Sequence, residues 1–167
     1  MPDSVDVWRM VAERRVYEGA VRLASLQRLV PLLADGQGEC RYELEFGRDE
    51  HGGDFVRIQA DAALVLTCQR TLERFDHAVA IRQRLGLIRS EAEEAALPPG
   101  AEPVLVPADG RIRPMELLED ELILALPLVP LKPGSEDETA RWGEAAEDAA
   151  GPVPSPFAVL ASLKKTR

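Results

Sequence analysis

The chain has 167 residues, 46% of them apolar and only 5% aromatic, with a formal charge of −9. That is enough apolar material for one domain with a core of Leu, Val, Ile and Ala, and it excludes a bilayer-crossing helix, because no run approaches the roughly 20 apolar residues a span needs. The opening "MPDSVDVWRM" has neither the basic start nor the apolar stretch of a signal peptide, and the two cysteines, Cys40 and Cys68, have no local pairing, so a cytoplasmic protein without a structural disulfide is expected.

In chain order, "SLQRLVPLLADG" predicts a short helix capped by Ser25, with Leu26, Leu29 and Leu33 on one stripe and Pro31 shortening or kinking it. "ECRYELEFG" alternates, with Cys40, Tyr42, Leu44 and Phe46 on one face and Arg41, Glu43 and Glu45 on the other, which predicts a half-buried strand. "RDEHGGD" supplies a turn before "FVRIQADAALVLTC", one long or two shorter strands. In "RFDHAVAIR", Phe75, His77, Val79 and Ile81 share a face opposed by Arg74, Asp76 and Arg82. Short gaps between these segments point to an antiparallel meander. "SEAE" at Ser90 to Glu93 matches a capping box for a short helix reaching Leu97, and "EPVLVPADG" offers a strand and a turn. "PMELLEDELILALP" is the strongest helix signal: Pro114 opens it, Pro127 closes it, and Met115, Leu118, Leu122 and Ala125 form an inward stripe widened by Ile123 and Leu126. The expected fold is α+β: an antiparallel sheet built as a meander, barrel-like if it curls, with short helices and a docked C-terminal helix. Residues 1–131 form the domain, 132–154 an acidic flexible linker, and 155–167 a capped helix with a basic tail whose Phe157, Val159, Leu160 and Leu163 are candidates for docking on the domain or on a partner.

Charge is unevenly spread. Residues 1–90 carry 13 Lys and Arg against 14 Asp and Glu, whereas 91–162 carry 4 against 15. The most basic window holds Arg70, Arg74, Arg82, Arg84 and Arg89 against only Glu73 and Asp76. Arg74, Arg82 and Arg84 fall on one side of an alternating strand, where guanidinium groups can track a phosphate backbone or pair with carboxylates of the same chain; both readings stay open. With Lys164 and Lys165 in the basic tail, these arginines are the RNA-binding candidates. His77 reads as a hydrogen-bonded core imidazole, Cys40 and Cys68 as buried small hydrophobes, and Glu119, Asp120 and Glu121 as a solvated helix face. No nucleophile constellation, phosphate loop or aromatic base-stacking pair is visible, so no enzyme, small-molecule substrate, cofactor or metal is expected.

Three segments, "LVLTCQRTLERFDHAV", "LLEDELILALPLVP" and "SPFAVLASLKK", in that order and separation, resemble the YceD family, proteins named for large-subunit ribosomal RNA accumulation. The resemblance implies a role in synthesis, processing or stability of 23S rRNA, with precursor rRNA or a ribosome-assembly protein as partner and no established catalysis. Many relatives carry a second cysteine where this chain has Thr71, and some carry a further pair where it has Leu131-Lys132-Pro133. Structural zinc wants four ligands, and Cys40, Cys68, His51 and His77 are not spaced as a knuckle.

Overall fold

The computed structural model describes residues 1–98 and 100–135. They span a unit Met1–Lys132 and the first residues of a second, Pro133–Arg167. The expected linker beyond residue 135 and the C-terminal candidates Phe157, Val159, Leu160, Leu163, Lys164 and Lys165 lie outside the described residues.

Two strands, β1 (Val5–Asp6) and β7 (Arg111–Ile112), pair antiparallel at the start and near the end of the domain. Between them in sequence run α1 (Val7–Ala12), β2 (Val16–Arg22), β3 (Glu39–Arg48), β4 (Asp54–Thr67), β5 (Arg74–Ile88) and β6 (Glu102–Leu105), and α2 (Pro114–Leu124) follows. The main sheet has the order β2-β3-β4-β5-β6. Strands β3, β4 and β5 are the antiparallel meander read from the alternation, and β2, which no alternating segment had marked, extends it antiparallel; β6 joins β5 in parallel, so the sheet is mixed and, among the described residues, open rather than barrel-like. The physical reason lies after Ile88: a six-residue 3-10 segment, Glu91–Ala96, interrupts the path, so the chain returns along the sheet instead of reversing in a tight turn.

Alternation decides the layers. Leu44, Phe46, Val56, Ile58, Leu64, Val79, Ile81 and Leu85 point to one face of the sheet and are buried beneath α1, the loop around Leu26 and α2. Asp6 caps α1 by accepting the amides of Trp8 and Arg9 at 3.0 and 3.1 Å, and Val7, Met10 and Val11 then enter the core. On α2 the expected stripe is the buried one, with Leu118 and Leu122 fully covered, each contributing about 1.5–3 kcal/mol.

Of two expected short helices, one breaks into separate 3-10 turns and the other forms as a 3-10 helix, Glu91–Ala96. Ser25 to Gly36 contains only 3-10 turns, Leu23–Ser25 and Val30–Leu32, and the Ser25 hydroxyl donates back to the Arg22 carbonyl instead of capping. The buried residues there, Leu23, Leu26 and Leu29, recur every third position, which matches three residues per turn rather than 3.6. At Ser90 no side-chain cap is made, and Glu93 accepts the amide of Arg89, one residue before the cap, at 3.0 Å. Leu97 is then extended, as the residue before Pro98 must be.

Candidate interaction surface: the arginine strand and the Cys68 turn

The outer sheet face is set by register. Arg84 lies opposite Arg57, Arg82 opposite Gln59, and Arg74 opposite Thr67, so the three expected arginines do share a face, and β4 adds Arg57 to them. The same face carries Arg41 and Glu39, Glu43 and Glu45 from β3, and Glu18 and Arg22 from β2. With Asp61 and Asp76 it holds six arginines and six carboxylates, a balanced mosaic rather than a basic stripe.

Pairing is specific. One Arg82 nitrogen reaches both Asp61 oxygens at 2.9 Å, while another donates to the carbonyls of Ala60 and Ile81 at 3.2 and 2.6 Å. Arg84 donates to Asp49 at 2.7 Å and lies 4.3 Å from the centre of the Phe55 ring, with its Nε buried and unpartnered among the described residues. Asp49 sits below the usual carboxylate range, chiefly because it accepts the Gly53 amide and with smaller help from Arg84. Arg57 pairs with Glu45 across the strands and also stacks near Phe55. Arg74 is looser: its nearest carboxylate, Asp35, is at 3.9 Å and its side chain is 67% exposed. Arg89 leaves this group and covers Trp8 at 3.7 Å from the ring centre.

Phe55 is an aromatic on a polar face, and it stays buried because Gly47 and Gly86 flank it across the neighbouring strands. A Cβ on Gly47 would lie 2.8 Å from the ring. The ring fills the space left by the glycine and supports the two arginines above it.

Cys68 directly follows β4, and its backbone closes the turn: its amide donates to the Glu73 carbonyl at 2.8 Å, and its carbonyl accepts from Leu72 at 2.9 Å. Leu72 adopts φ +61°, a left-handed conformation unusual for leucine. Although the Cys68 side chain is covered, its thiol is lowered to about 6, because the Lys132 amide and then Thr71 hydrogen-bond the sulfur and outweigh the opposing effect of burial. The Thr71 amide contact is 3.5 Å. The later segment is held to the same turn: the Gln69 amide donates to the Pro130 carbonyl at 2.9 Å and Lys132 Nζ pairs with Glu73 at 2.7 Å. Arg70 is exposed on this turn, and its amide also favours the thiolate. By contrast Cys40 is an inert core thiol, pushed up to about 11 by burial. Among the described residues no group of three or more His, Cys, Asp and Glu is placed to hold a metal ion.

His77 faces the core side opposite Leu64 and is half-buried, with no hydrogen-bond partner among the described residues, unlike the bonded imidazole expected. Glu119 is a clearer departure from the solvated helix face. It is 7% exposed, and its carboxylate accepts the Arg28 and Leu29 amides at 2.7 and 3.1 Å and Arg28 Nε at 3.1 Å. Glu121 is half-buried too, and desolvation, then Glu102 and Asp120, push its carboxyl up. The spacing that sets Asp120 outward beside Arg28 turns Glu119 inward, and nothing local distinguishes the three acids.

The described residues define a mixed-sheet α+β domain with a charge-balanced outer face and a hairpin turn clamped by a later segment. Residues 56–164 match the family described as large ribosomal RNA subunit accumulation protein YceD, and the chain belongs to that family. The Haemophilus influenzae protein of the same description is 28% identical over 169 residues, an alignment covering 99% of this chain and 97% of the relative. No solved structure matches. No helix among the described residues is long and apolar enough to cross a membrane.

Proposed function

We propose that this protein is a non-enzymatic factor in the accumulation of large-subunit ribosomal RNA, 23S in bacteria, and that it works as an adaptor which holds a ribosomal or rRNA-processing protein. Family membership over residues 56–164 carries the first part. The second rests on one observation: Arg82 and Arg84, the centre of the arginine strand, are engaged by Asp61 and Asp49. A phosphate would have to displace those carboxylates, so the strand offers little net attraction to RNA. The neighbouring turn instead presents apolar surface to a protein: Leu72 is 77% exposed beside a groove lined by Leu32, Leu33, Leu66, Cys68 and Pro130. Direct rRNA contact is the second reading, and the loosely paired Arg74 favours it.

The two readings separate in one experiment. Arg74, Arg82 and Arg84 are replaced together by Gln, and binding to large-subunit precursor RNA fragments is measured across salt concentrations. The adaptor reading expects the same weak affinity and salt slope as wild type, and a complex from cells that survives nuclease. A salt slope smaller by roughly 0.7–0.9 per lost arginine would overturn it in favour of phosphate contact.

A further inference from the structure

We infer that the edge of β2, which no further strand covers among the described residues, is a self-association seam, at which a second copy of this chain adds its own β2 antiparallel about a twofold axis through Ala20. The two edges of the sheet are not alike. At one, β6 is four residues long and carries Pro103, which cannot donate to a further strand. At the other, β2 runs seven residues in unbroken register with β3 and contains neither proline nor lysine. Its hydrogen-bonding parity follows from the contacts that flank it: the Phe46 amide donates to the Arg15 carbonyl at 2.9 Å and the Leu23 amide to the Gly38 carbonyl at 3.0 Å. Odd-numbered residues therefore bond β3, and the backbone groups of Val16, Glu18, Ala20 and Arg22 point off the sheet, the Arg22 carbonyl accepting the Ser25 hydroxyl through one of its two lone pairs.

The side chains select the occupant. Glu18 and Arg22 are exposed on the same face, and among the described residues neither has an ion-pair partner. They stand about 13 Å apart along the strand, too far to meet each other. Glu18 also lies directly opposite Glu43 of β3, a like-charge neighbour. Centring a twofold on Glu18 or on Arg22 would set like charges against each other. Centring it on Ala20 sets Glu18 opposite Arg22 of the second copy twice, with the required parity, two Ala20 residues meeting at the axis and a cation brought to the side of Glu18 away from Glu43. One strand thus carries both halves of a self-complementary pattern, the signature of an isologous contact.

The test is sedimentation velocity on the full chain through the micromolar range, with circular dichroism to confirm folding. Wild type is expected to show concentration-dependent dimer, and Ala20→Pro, which removes only an outward amide, to remain monomeric. Should that variant fail to fold, the charge variants decide. Glu18→Arg alone and Arg22→Glu alone should each weaken self-association about tenfold or more, because both pairs become repulsive. An equimolar mixture of the two should recover a heterodimer, and the double exchange should recover the homodimer. A wild type monomeric throughout the range, or a dimer that ignores these substitutions, overturns the proposal.

Discussion

Glu119 and Cys68 are both polar groups that the fold closes over, and each is stabilised by backbone amides from a distant segment. Replacing Glu119 by Ala strands the Arg28 and Leu29 amides and leaves Arg28 with one carboxylate fewer, at a cost of about 2–4 kcal/mol in urea unfolding. Glu119→Gln keeps an oxygen for both amides and should cost about 1 kcal/mol. Cys68 predicts a pH dependence. Its thiol lies at about 6 in the fold against an ordinary 9.0, so folding favours the anion. The contribution is absent below pH 6, grows as pH rises from 6 to 9.0, and is complete above that. The melting-temperature gap between wild type and Cys68→Ala should widen across that window at constant ionic strength. A gap independent of pH would mean that the sulfur stays protonated.

At the scale of elements, the β3-β4-β5 register holds the charged face in place through one aromatic. Phe55 lies over Gly47, so Gly47→Ala forces the ring away and disturbs Arg57 and Arg84, which stack on it. A loss of about 1–3 kcal/mol is expected, the range for overpacking a well-filled site. Gly86 makes a useful contrast, because a Cβ there meets the flexible end of Leu97 at 2.5 Å instead of a ring. Gly86→Ala should therefore cost less than Gly47→Ala in the same unfolding assay, and the reverse order would show that Leu97 is the more firmly held neighbour.

For the molecule as a whole, the boundary after Lys132 falls just beyond residues that close the Cys68 turn. Truncation after residue 135 keeps these contacts and sets the reference melting temperature of the Met1–Lys132 unit. Truncation after Val129 removes the Pro130 carbonyl and both Lys132 contacts, and should lower it by several degrees. Equal melting temperatures for the two truncations would show that the later segment does not support the turn.

Strands β3, β4 and β5, the buried stripe of α2 and the placement of Arg74, Arg82 and Arg84 on one face were legible in the sequence, because side-chain period is a local property of the chain, whereas β2 carries no such alternation signal and was not. Membership of the family was legible as well, since three segments kept their order and spacing. Strand pairing was not, and it decided the character of the site: Asp61 and Asp49 reach Arg82 and Arg84 from 21 and 35 residues away, turning a basic window into a neutral mosaic. The 3-10 path from Leu23 to Leu32 and the inward turn of Glu119 were likewise tertiary decisions, each made by the other. Local pattern records which face a residue takes. Which charges meet there depends on register between strands, and only the folded chain fixes that.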